Sequence, residues 1–83
     1  MMSKLHNAEI CLEQCRSTLA SLGQHSAVRS LKGLEFHNIA AAKIALSIIQ
    51  GTTVWGTAAK IAKEQAIATL MAAIQSPNPH GTN

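Results

Sequence analysis

The chain has 83 residues, 47% of them hydrophobic and 2% aromatic, and a formal charge of +3 from seven Lys or Arg against four acidic residues. That length argues against more than one ordinary domain and leaves a thin margin of stability. The cations are sparse and scattered, unlike the clustered basic face of a nucleic-acid binder, and with neither Asp nor Tyr in the sequence no residue set for enzyme chemistry comes together.

Bulk is the scarce commodity. A single Trp and a single Phe serve the core, and alanine takes up much of the remainder. Alanine is the best helix former but buries little area per residue. The composition therefore predicts firm helices around a thin core, of the kind that a second chain often completes.

The first helix is expected from about Lys4 to Leu22. Leu5, Ala8, Leu12, Cys15, Leu19 and Leu22 alternate at spacings of three and four, which is the seam of a helix packed on another helix. Ser3 is suited to cap its start and Gly23 to stop it. Cys11 and Cys15 lie four apart and share a face. The opening "MMSKLHNAEICLEQ" has polar residues where a secretory signal would be apolar, so a reducing, cytoplasmic setting with free thiols is expected. His6, His25 and His37 join the cysteines as metal-ligand types, but small seam residues are the simpler reading. No metal and no cofactor is expected.

After the turn "GQHS", Ser26 can cap a second helix from about Ala27 to Gln50. Gly33 lies inside it as a flaw of about 1 kcal/mol relative to alanine. From Ile39 this helix is apolar nearly all round. Ile39, Ala42, Leu46 and Ile49 form one stripe, and Ala41, Ala45 and Ile48 form another beside it. A helix apolar on most sides needs cover on most sides. Gly51 ends it. "GTTVWGT" is a linker in which Thr53 or Thr57 can cap the next helix, and Trp55 either plugs the open end of the bundle or anchors an interface. The third helix is expected from about Ala58 to Gln75, its second half facing the core through Ile67, Leu70, Met71 and Ile74. Residues 76–83, with two prolines and no apolar anchor, are expected to be disordered. Residues 1–75 then form one all-α domain, a helical hairpin or a three-helix bundle. A membrane span is not expected, because Lys43 and the run Gln50–Thr53 interrupt the only stretch of sufficient length.

What is left is an interaction module whose surplus apolar face is covered by another protein or by a second copy. Its interface residues would be Leu12, Leu19, Ile39, Leu46, Ile49 and Trp55, the middle stripe docking in a partner's groove. The segments "LEQCRSTLASLG" and "LEFHNIAAAKIALSIIQ" resemble the small helical-hairpin co-chaperones of bacterial type III secretion, where a heptad-patterned helix is followed by a turn and an alanine- and isoleucine-rich helix. The resemblance spans about residues 5–50. It implies a helical co-chaperone and a secreted needle subunit as partners. Known members are richer in charge and do not usually carry so long a third helix. The alternative is a small helical metal-sensing or DNA-binding regulator, which would retain metal at Cys11 and Cys15 or bind duplex DNA in a salt-sensitive way.

Overall fold

A computed structural model describes residues 4–34 and 38–75. Among them are four helices and no strand: α1 (Lys4–Ser21), α2 (His25–Leu31), α3 (Ile39–Gln50) and α4 (Thr57–Gln75). The all-α class is as expected, with one helix more than the sequence pattern suggested. Ser3, residues 35–37 (including His37) and the tail 76–83 lie outside the described residues.

Helix α1 buries Ala8, Leu12, Cys15 and Leu19, the middle of the expected seam, and holds Leu5 half-buried. Its end is a Schellman motif. The Gln24 N–H donates to the Leu19 carbonyl at 3.0 Å and the Gly23 N–H to the Ala20 carbonyl at 3.1 Å. Gly23 takes the left-handed φ of +77° that this turn requires. The seam stops with the helix, so Leu22 is exposed and not a core residue.

The expected helix from Ala27 to Gln50 is two helices. Gly33 lies between them at φ +75°, and the preceding Lys32 is already extended, its N–H donating to the Arg29 carbonyl at 3.3 Å. Asn38 then caps α3, accepting the Ala41 N–H on Oδ1 at 2.8 Å. Ser26 lies within the first turn of α2, one residue past its start at His25. Length explains the break. One helix from His25 to Gln50 would be about 39 Å long at 1.5 Å per residue, against about 27–29 Å for α1 and α4. It would overrun the helices that must cover it. Splitting it lets Leu31 of α2 and Ile49 of α3 both reach the core.

The break reverses the sign of an expected mutation. In a continuous helix, Gly33→Ala would stabilise by about 1 kcal/mol. At a left-handed turn the same change costs about 1–2 kcal/mol. A Cβ there meets nothing within 4 Å, so the cost is purely conformational. Urea denaturation of the variant reads the sign directly.

The helices pack as a closed circuit. α1 lies most extensively on α4 and also on α2, while α3 packs on α4 and α2. Cys11 of α1 meets Gln65 and Thr69 of α4, whereas Gln24, just past the end of α1, meets Trp55, just before the start of α4. These two helices are therefore antiparallel. Helix α4 buries Ala59, Ala66 and Ala73 at intervals of seven, together with Leu70, and α3 buries Ala42, Ala45 and Ile49. Alanine seams let helix axes approach closely, and the large side chains of neighbours fill the space. Leu19, Ile49 and Leu70 are the largest fully buried side chains.

Candidate interaction surface

The loop from Gly51 to Gly56 closes one end of the bundle, and its residues divide sharply between inside and outside. Thr52 and Val54 are buried. The Thr52 hydroxyl donates to the Ile48 carbonyl at 2.7 Å, returning to the last turn of α3. Lys63 of α4 reaches across, its Nζ donating to the Thr52 carbonyl at 2.7 Å and the Gln50 carbonyl at 3.4 Å. A cation on the free carbonyls of a helix C-terminus is favourable for both hydrogen bonding and the helix dipole. Gly56 takes φ +91° and its carbonyl accepts the Lys60 N–H at 3.0 Å, opening α4. Thr57 is thus the first helical residue. Beside the loop lies an open cleft of about 600 Å³, lined in part by Thr53, Val54, Lys60 and Glu64.

Trp55 is outside. Val54 and Thr52 plug the end of the bundle, and the indole stands 63% exposed. Its backbone is held by the Gln24 side chain. The Trp55 N–H donates to Gln24 Oε1 at 2.9 Å, and Gln24 Nε2 donates to the Trp55 carbonyl. One amide therefore satisfies both backbone groups of one residue and staples the α1–α2 turn to the α3–α4 loop. Leu22, two residues before Gln24, is 45% exposed.

Of the six residues expected at an interface, Leu12, Leu19 and Ile49 are covered by the chain's own helices. Leu46 is half-buried and packs against the same core. Ile39 and Trp55 remain outside, as do Leu22, which the seam pattern placed on the packed face of α1, and Ile44 (63% exposed) and Ile61, which the sequence pattern did not single out. Ile44 belongs to neither apolar stripe and lies on the side of α3 turned away from buried Ala42, Ala45 and Ile49, a side that only the packing of α3 identifies. Gln24 was missed because a glutamine in a turn carries no local sign of a partner 31 residues away.

Further toward the start of α1, Cys11 Sγ lies 3.5 Å from Thr69 Oγ1 and 3.9 Å from the Gln65 carbonyl. Cys15 is buried, and both thiols are free. Burial, and secondarily the neighbouring Cys11, raise the Cys15 thiol above its ordinary value. The folded chain holds that proton to higher pH than the unfolded chain does. This contribution to stability is complete below about pH 9 and is lost as pH rises through the folded value. Urea midpoints between about pH 8 and pH 10.5 should fall, and Cys15→Ala should flatten part of the fall. An identical slope in the variant would remove Cys15 as a cause.

Among the described residues, no three His, Cys, Asp or Glu side chains come together as a metal-binding group. No described helix is long and apolar enough to cross a membrane. The molecule is thus an all-α bundle with an aromatic side chain presented at one end. Comparison with known protein families, characterised proteins and solved structures finds no match.

Proposed function

We propose that this chain is a protein-interaction module that offers Trp55, with Leu22 beside its clamp, to an apolar groove on a partner. The observation that supports the reading is the Gln24 clamp. It holds the backbone of an exposed tryptophan with two hydrogen bonds, so little backbone freedom remains to be lost when the indole is captured. Tryptophan is the side chain most often found as a binding hot spot, commonly at 2 kcal/mol or more. Ile39, Ile44 and Ile61 extend the apolar surface along α3 and α4. The particular form we favour is a chaperone or co-chaperone subunit in the cytoplasm, in the manner of the type III secretion co-chaperones. Its partner would be a helical co-chaperone or a secreted subunit, and a second copy is the other candidate.

The test uses three versions of the chain: unchanged, Trp55→Ala and Gln24→Ala. All three should fold, because Trp55 is outside and Gln24 bonds only at a surface turn. Light scattering reports self-association, and quantitative affinity capture from the native cells reports other partners. Loss of the captured partner or of the oligomer in Trp55→Ala, with partial loss in Gln24→Ala, is expected. Equal capture and an unchanged monomer across all three would defeat the proposal.

A further inference from the structure

Cys11 and Cys15 are not used by the interaction surface, yet the fold brings them to a common space. Both line a small pocket of about 140 Å³ on the seam between α1 and α4, together with Gln14, Thr18, Ala62 and Gln65. Cys11 is half-buried, its sulfur directed at Thr69 Oγ1 and the Gln65 carbonyl. Cys15, one turn further on, is 4% exposed. We propose that this pair is a two-coordinate binding site for a soft, thiophilic d10 metal ion of the Cu(I), Ag(I) or Hg(II) kind.

Spacing carries the argument. Residues four apart on a helix hold their Cβ atoms about 5–6 Å apart. A disulfide needs about 3.5–4.5 Å, so the two sulfurs do not join while α1 is intact. A metal ion bridging them sets the sulfurs about 4.6 Å apart, twice a metal–thiolate bond of about 2.3 Å, which suits the wider separation. Soft thiolate ligands select soft ions. The lack of a third His, Cys, Asp or Glu beside them, among the described residues, suits a two-coordinate ion and not tetrahedral zinc. On binding, each thiol releases its proton to water and two sulfur–metal bonds form, with no change of oxidation state.

The experiment uses the full, reduced chain under anaerobic conditions. Ag(I), Cu(I) and Hg(II) are titrated separately, with Zn(II) as a contrast. Native mass spectrometry reads the stoichiometry and thermal melting reads the preference for the folded state. One soft ion per monomer is expected, with a raised melting temperature and no retained zinc. Cys11→Ser and Cys15→Ala should each abolish both the bound ion and the melting shift. Cys11→Ser keeps a polar group at a partly exposed position, so its failure to bind would not reflect unfolding. Two independently bound ions per chain, a metal-bridged dimer, or a melting temperature that is unchanged or lowered would each overturn the proposal. The last outcome matters most, because an unfolded chain with two cysteines also binds soft ions, and only a site built by the fold raises the melting point.

Discussion

Leu19→Ala is expected to bring the chain close to unfolding at room temperature. Leu19 is fully buried at the α1 seam, and removing such a side chain costs about 2–5 kcal/mol, combining lost transfer energy with the cavity left behind. A chain of this length has about 4–12 kcal/mol in total at 0.05–0.15 kcal/mol per residue. The core has few bulky groups with which to refill the space, since among the described residues the large buried aliphatic side chains besides Leu19 are Leu12, Leu31, Ile49 and Leu70, and most of the others are alanines. Leu22→Ala is the control. It removes the same atoms three residues later, where the side chain is exposed, and should move the urea midpoint little, about 0.5 kcal/mol or less. Equal losses in the two variants would mean that α1 does not end where the Schellman turn places it.

Ala66→Leu is the second large effect. Ala66 is buried at the centre of the alanine seam of α4, with Ala59 and Ala73 one heptad away on either side. Leucine is nearly as good a helix former as alanine, so propensity does not confound the result. Added bulk must displace α1 or α3, and overpacking of this kind costs about 1–3 kcal/mol. Ala68→Leu, on the exposed side of the same helix, should be close to neutral. Thermal melts of the pair separate the two explanations of an alanine-rich helix. Close packing predicts a large difference between positions 66 and 68, whereas mere helix propensity predicts none.

These two predictions also bear on the docking argument. The apolar surplus suggested by composition is largely absorbed within the chain, because alanines on α3 and α4 allow Leu12, Leu19, Leu70 and Ile49 to share one core. The stripe through Leu46 and Ile49 is therefore a poor place to probe for a partner. A charge at Leu46 would disturb the core it packs against. Among the described residues, the large apolar side chains left exposed are Leu22 and Trp55 at the loop end, Ile39 and Ile44 on α3, Ile61 on α4 and Ile10 on α1.

The outer helices were legible from local pattern. The seam from Ala8 to Leu19, Gly23 after it, and the start of α4 just beyond Gly56 are short-range features, and the observed ends of α1 and α4 fall within one residue of those expected. Backbone periodicity and capping act over a few residues, so they survive in the bare sequence. The fate of Gly33 does not. A glycine in a helical pattern is compatible with a tolerated flaw or with a left-handed break, and the choice depends on the lengths of the helices it must pack against. Trp55 is the same kind of case. Whether it fills the end of the bundle or stands outside depends on Val54 taking the inner place and on Gln24, 31 residues earlier, gripping its backbone. Contacts between residues far apart in the chain leave no periodic trace, and they alone settle which of two chemically acceptable side chains faces water.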